Sequence, residues 1–206
     1  MLTNKQLTIF EVFTRSPFQK LERKKIKQQS KEKSTNALTL AIKQFTKEDL
    51  IKTEKVGKSF LYLLNHENNL IYYYISLINN QKLDTNTKKT IKLIREELDK
   101  ISTFYSLIIF GSYATNQQKK ISDIDIAIII ENEEKRKKFE ASINQTNQKS
   151  LIKIDYHIIT KEEFLKMLTN QEENLGKEIA KKHLVLYNHE IFYKILKEGI
   201  KYGFTI

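Results

Sequence analysis

Residues 107–130 read LIIFGSYATNQQKKISDIDIAIII. A hydrophobic run, a Gly-Ser, a seven-residue gap after Ala114 and then Ser122-Asp123-Ile124-Asp125 lead into a second hydrophobic run. Side chains alternate faces along an extended strand, so Asp123 and Asp125 project from one face while Ile124 and Ile126 point into a core. Two carboxylates side by side repel each other. At the edge of an apolar strand such a pair is costly unless a divalent cation neutralises it, and hard oxygen ligands of this kind suit Mg²⁺ or Mn²⁺.

A chain of 206 residues holds one medium domain or two small ones, and two are expected here. The absence of cysteine excludes a disulfide framework and a thiolate zinc site, which makes a reducing cytosol the natural setting. The opening MLTNKQLTIFEVF lacks the basic-then-apolar order of a signal sequence, and no apolar run reaches the roughly 18 residues of a membrane helix. A soluble, cytoplasmic protein without a membrane partner is the expectation. The net charge of +11 is uneven: residues 1–62 hold 14 Lys/Arg against 6 Asp/Glu, and the remainder 22 against 19. A positive field concentrated in this way attracts polyanions, nucleic acid first among them, with a Lys-rich solvated surface as the bland alternative.

Leu7, Phe10 and Phe13 recur at helical spacing before Ser16-Pro17 breaks the pattern, which gives a first helix over residues 4–14. A very basic stretch, residues 18–29, sets Leu21 and Ile26 among Lys20, Arg23, Lys24, Lys25 and Lys27. Ser34 or Thr35 is a good N-cap for a third helix with Leu38, Ile42 and Phe45 as its apolar stripe. Two short strands then meet at a turn on Gly57. Three helices and a hairpin are the plan of a winged helix-turn-helix, and the segment resembles the winged-helix domains common in archaeal and bacterial regulators. In that plan the third helix enters a DNA major groove and the hairpin tip rests on the backbone. Ser34, Thr35, Asn36 and Thr39 then lie nearest the bases, and Lys43, Lys47, Lys55 and Lys58 contact phosphate. The third helix has few long polar side chains, so a domain used for protein contacts or dimerisation stays open beside DNA or RNA binding.

Tyr72, Tyr73 and Tyr74 suit packing of a helix between domains, with base stacking as the alternative. The polar interval 79–87 reads as a linker. A helix follows over residues 87–101, in which Ile91, Ile94, Leu98 and Ile101 face one core. This organisation divides the chain into a winged helix-turn-helix at 1–66, a connecting helix and linker at 67–87, and a domain at 88–206.

Phe104 to Phe110 is a strand, Gly111-Ser112 a tight turn, and Tyr113 to about Lys119 a short helix. Glycine lets a ligand approach the backbone, and the following N–H groups with the Ser112 hydroxyl can hold phosphate oxygens. Gly111, Ser112, Ala114, Ser122, Asp123 and Asp125 together resemble the nucleotidyltransferase superfamily related to DNA polymerase beta. Its pattern is Gly-Ser-x-Ala, a gap, then Ser-Asp-x-Asp before an apolar strand. Many minimal members carry Arg-Gly after the alanine, whereas this chain has Thr115-Asn116. The similarity extends over residues 88–206, including a tail read as a helix, a short strand at 183–187 and a final helix.

The resemblance implies an α/β (α+β) fold in which a small mixed-sheet domain flanked by helices follows the winged helix. It also implies a third carboxylate on a later strand. In IKIDYHII, residues 152–159, Ile152, Ile154, Tyr156 and Ile158 share one face while Lys153, Asp155 and His157 share the other. Asp155 is then the third ligand, or a solvated residue on an exposed face. The implied reaction is transfer of a nucleoside monophosphate from an NTP, ATP in the first instance, onto an acceptor hydroxyl with two Mg²⁺ ions. Asp123, Asp125 and Asp155 bind the metal, Asp155 beside the acceptor oxygen, and Gly111, Ser112 and Ser122 bind the nucleotide. RNA ends, a protein side chain and a small molecule are all open as acceptors, as is an oligomeric state. His157 reads as a surface or supporting residue, His66, His183 and His189 carry no metal-like spacing, and the charge run 131–138 starts a solvated helix. The competing class is a DNA-binding regulator or antitoxin-like protein whose transferase site is residual or senses nucleotide.

Overall fold

The computed structural model describes residues 1–119 and 122–205. It divides into two compact units, Met1–Ile78 and Asn79–Ile206. No helix among the described residues is long and apolar enough to cross a membrane.

The first unit opens with α1 (Asn4–Arg15), started by a capping box between Thr3 and Gln6. The threefold spacing of Leu7, Phe10 and Phe13 turns all three inward. The basic stretch begins as β1 (Leu21–Glu22) and continues as α2 (Arg23–Ser30), which buries only Ile26. Ser34 caps α3 (Thr35–Lys47) by accepting from the N–H of Ala37, and Leu38, Ala41, Ile42 and Phe45 form its inner face. Phe45 meets Phe10 edge-on at 5.2 Å between ring centres. Strands β2 (Ile51–Val56) and β3 (Ser59–Leu64) form an antiparallel hairpin, and Gly57 supplies the positive φ of +60° that its turn requires. β1 pairs with the other edge of β3, giving the sheet order β1-β3-β2.

Helix α4 (Leu70–Lys82) begins in the first unit. Tyr74 is its anchor there: its hydroxyl donates to Glu48 at 3.1 Å and accepts from the N–H of Leu2 at 3.2 Å, while Tyr73 is 75% exposed. The interval expected as a linker is mostly helical. Residues 79–82 end α4, and Asp84 caps α5 (Thr85–Leu98) through the N–H groups of Asn86 and Thr87. The polarity that suggested a loop belongs to this cap and to Asn79, a buried amide satisfied by the carbonyl of Val185 at 2.9 Å.

The second unit is built on a mixed sheet in the order β6-β5-β4-β7. β4 (Tyr105–Phe110) is buried along its whole length and leads through α6 (Gly111–Ala114) to β5 (Ile124–Ile130), its antiparallel neighbour. A 3-10 turn (Glu133–Lys135) and α7 (Arg136–Lys149) return the chain to β6 (Ile154–Thr160), which runs parallel to β5. Then come α8 (Lys161–Thr169), α9 (Leu175–Lys181), β7 (His183–Tyr187) antiparallel to β4, and α10 (His189–Lys201). α8 was not expected, although Thr160-x-x-Glu163 forms a capping box at its start. Ile91, Ile94 and Leu98 of α5 and Phe139 and Ile143 of α7 pack on the sheet face formed by Leu107, Ile109, Ile124, Ile126, Ile128, Ile154 and Ile158. Strand alternation sends Asp125, Ala127 and Ile129 to the opposite face, where α8 and α10 pack on the sheet.

Candidate active site

β4 delivers the chain to Gly111, where φ turns to +64°. A side chain is excluded there twice over, by the left-handed backbone and by Asp125: a Cβ on residue 111 would come within 3.0 Å of the Asp125 Cγ and closer still to its Oδ2. The backbone N–H of the next residue, Ser112, is near enough to the Asp125 carboxylate to favour its charged form. Thr115 bonds back through its hydroxyl to the carbonyls of Gly111 (3.3 Å) and Ser112 (3.1 Å), closing α6. Asn116 adopts φ +57°, a conformation asparagine tolerates better than other side chains, so Thr115-Asn116 preserves the turn without supplying a guanidinium.

The interval between the two halves of the motif includes residues 120 and 121, outside the described residues. Beyond it, Ser122 accepts from the N–H of Lys119 at 2.9 Å through its hydroxyl, and its carbonyl accepts from the Tyr113 hydroxyl at 3.3 Å. Ser122 thus closes the loop, and Tyr113 ties the two halves of the motif together. Burial, then Asp84, Asp123 and Asp125, push the Tyr113 phenol above its usual range, as expected for a ring beside several carboxylates.

The three carboxylates occupy one end of the sheet. The parallel register sets Asp125 opposite Asp155 and Ile124 opposite Ile154. Asp123 immediately precedes β5, and the N–H of Ile124 bonds to the carbonyl of Lys153 at 2.9 Å, locking that end of the strand pair. Ile124 and Ile126 are fully buried while Asp123 and Asp125 are half-buried and Asp155 is exposed. Burial pushes the Asp125 carboxyl above the usual carboxylate range, and the charges of Asp155, Glu178 and Asp123 add to it; the Ser112 N–H pulls the other way. Negative charge at this end of the sheet is therefore incompletely compensated.

A divalent cation fits this donor set chemically, since carboxylate oxygens on one face and at one strand end are what a hard ion takes. Yet among the described residues no three acidic or histidine side chains are gathered closely enough to hold an ion as they stand. Asp123 is instead engaged with Lys153, whose Nζ lies 2.6 Å from its Oδ2. A cation at this site competes with that ammonium.

Lys153 and Glu178 are site residues that motif reading missed. Lys153 had a signal, its position two residues before Asp155 on the same face; Glu178 had none, because α9 reaches the site only through the return of β7 to pair with β4. His157, opposite Ala127 on the carboxylate face, lies against Phe110 with 5.9 Å between rings. His183 is packed against α9: its Nδ1–H donates to the carbonyls of Ala180 (3.0 Å) and Ile179 (3.2 Å).

In the first unit, Ser34 is spent on the α3 cap, the Thr35 hydroxyl accepts from Lys27 Nζ at 2.7 Å, and the Thr39 hydroxyl accepts from Arg23. Asn36, Lys43 and Lys47 are exposed on α3, Lys55 is exposed on β2, and Lys58 stands at the Gly57 turn. No curated protein matches the chain. Over residues 88–187, a span that holds Gly111, Ser112, Ser122 and all three aspartates, the chain is similar to one protein family, whose matching model is described as the nucleotidyltransferase domain.

Proposed function

We propose that the second unit is a polymerase beta-like nucleotidyltransferase that moves a nucleoside monophosphate from an NTP, with ATP the first to test, to an acceptor hydroxyl, releasing pyrophosphate. The observation that carries this reading is the register pairing Asp125 with Asp155, beside the Gly111-Ser112 turn packed against Asp125. The family match over residues 88–187 supports it.

In this reading Asp123, Asp125 and Asp155 hold two Mg²⁺ ions, which when bound neutralise the triphosphate and lower the pKa of the acceptor hydroxyl. Asp155, the most exposed of the three, takes the acceptor proton as the oxygen attacks the α-phosphorus and the bond to pyrophosphate breaks. Gly111 allows phosphate oxygens close to the backbone, and the Ser112 hydroxyl donates to them. Positioning of this kind supplies much of the rate in phosphoryl chemistry.

The first unit reads as a winged helix-turn-helix that contacts nucleic acid in a cytoplasmic setting; the helix order and the β1-β3-β2 sheet support it. A second reading, a DNA-binding regulator or antitoxin-like protein whose site senses nucleotide without turning it over, is favoured by the Asp123–Lys153 ion pair. Incubation with each α-labelled NTP, Mg²⁺ and host lysate separates the two. Transfer of label to RNA, protein or a small molecule, with loss in Asp125→Ala, supports the transferase; nucleotide binding with no pyrophosphate release supports the sensor. Turnover unchanged in both Asp123→Ala and Asp125→Ala sinks the catalytic assignment.

A further inference from the structure

We infer that the first unit binds the phosphodiester backbone of duplex nucleic acid through Arg23 and Lys27 of α2, without reading sequence through α3. The inference rests on the nucleic-acid reading of that unit and specifies which surface acts and what it recognises.

Apart from Asn36, Lys43 and Lys47, which are exposed, the polar side chains along α3 are committed within the unit. Ser34 caps the helix, Lys27 donates to the Thr35 hydroxyl, and Arg23 donates to the Thr39 hydroxyl and, at 3.3 Å, to the Thr35 carbonyl. Further along, Gln44 donates to Glu48 at 2.6 Å, and Thr46 donates to the carbonyl of Ile42 at 3.0 Å. In the middle of the outer face stands Leu40, 56% exposed. A base edge brought to this helix meets only Asn36, Lys43 and Lys47, too few hydrogen-bonding groups to distinguish base pairs along a site.

Charge is concentrated on the neighbouring helix and the residues flanking it instead. Residues 20–33 hold seven Lys/Arg and two Asp/Glu, while residues 34–47 hold two lysines and no acid. Of those two acids, Glu32 is engaged by Lys5 at 3.2 Å and by the N–H of Ser34, and Glu22 is exposed; Lys20 is paired with Glu54 at 2.6 Å. Arg23 and Lys27 are one helical turn apart, and their contacts to Thr35 and Thr39 set both cationic heads over the start of α3. A guanidinium has five N–H donors and an ammonium three, so each head keeps donors for phosphate oxygens after its threonine is satisfied. Contacts of this class fix position on a duplex and carry no sequence information.

The test is fluorescence anisotropy of the full chain with a panel of unrelated DNA duplexes of equal length, the same sequences as duplex RNA, and heparin as polyanion competitor, each across a salt series. The expected result is near-equal affinity over the DNA panel. Arg23→Gln and Lys27→Gln should each weaken every duplex alike and lower the salt slope by about 1. Circular dichroism of these surface variants checks that the unit remains folded. Preference for one duplex that Asn36→Ala or Thr39→Val abolishes, with Arg23→Gln harmless, overturns the inference while leaving nucleic-acid binding intact. Failure to bind any duplex at low salt removes the nucleic-acid reading itself. The DNA and RNA arms identify which duplex supplies the backbone.

Discussion

Gly111, just past the end of β4, and Asp125, at the start of β5, are in contact, and the space a Cβ at residue 111 would need is filled by the Asp125 carboxylate. The glycine of the motif therefore shapes the acid that follows it by fourteen residues in sequence. Gly111→Ala should cost about 1–3 kcal/mol from the left-handed backbone and the displaced carboxylate, read as a lower urea midpoint, together with weakened metal binding. Gly203→Ala is the control. Gly203 is at φ +98° with nothing within 4 Å of a Cβ, so it carries backbone strain while leaving Asp125 in place. Equal metal binding by the two variants would sink the proposed contact.

His183 makes acid stability a second observable. Burial pulls its imidazole from the usual 6.5 down to about 4, and His189 moves in the same direction. A depressed folded pKa means that the unfolded chain binds more protons between about 6.5 and 4. The contribution is fully present above pH 6.5 and lost as pH falls towards 4, by up to about 3 kcal/mol for His183. His183→Asn, whose amide can replace Nδ1–H toward the Ala180 carbonyl, should flatten part of this decline in urea melts at pH 7, 5.5 and 4. An unchanged slope would show that the ring titrates normally.

The ease of reading this chain tracked how local each relationship is. Alternation placed Ile124 and Ile126 inside because burial acts residue by residue along a strand, and Gly57 marked its hairpin because only the turn needs a positive φ. The apolar spacing of Phe10, Phe13 and Phe45 was legible for the same reason. The pairing of Asp125 with Asp155 was different: periodicity assigns a face, but which strand lies alongside depends on a parallel crossover through α7. Thr35 and Thr39 looked free in sequence and are held by α2, a contact that no helical pattern encodes. Asn79–Lys82 looked like linker because a buried amide bonded to a distant carbonyl resembles loop polarity until the partner strand is known.

Lys153 is the residue a metal must displace. Its ammonium is held to Asp123 at 2.6 Å, and the hydrogen bond and charge of Asp123 raise its pKa above the usual lysine range, so it remains cationic throughout the working pH range. Lys153→Met removes the competitor while keeping the length of the side chain. Mn²⁺ binding, followed by the loss of the free-ion paramagnetic resonance signal, should tighten a few-fold, the modest scale set by an exposed ion pair. Weaker binding in the variant would mean that Lys153 orients Asp123 for the metal.

Asp125 should show a conflict between stability and function. Its folded pKa is raised, first by burial and then by Asp155 and Glu178, so folding favours the protonated carboxyl. The ionised form therefore costs stability in full above the raised pKa, and the cost disappears as pH falls through it towards the unfolded value of about 3.9. In metal-free buffer Asp125→Asn should raise the thermal midpoint at neutral pH, with the gain shrinking as the solution is acidified, while nucleotidyl transfer is lost. The amide has the shape of the carboxylate, so the packing against Gly111 is retained and charge is the main change. Added Mg²⁺ should reverse the order, stabilising the wild-type chain by mass action and the variant less. A variant less stable than wild type at neutral pH, or equally stabilised by Mg²⁺, would show that the carboxylate is already compensated by the protein and that the ion binds elsewhere.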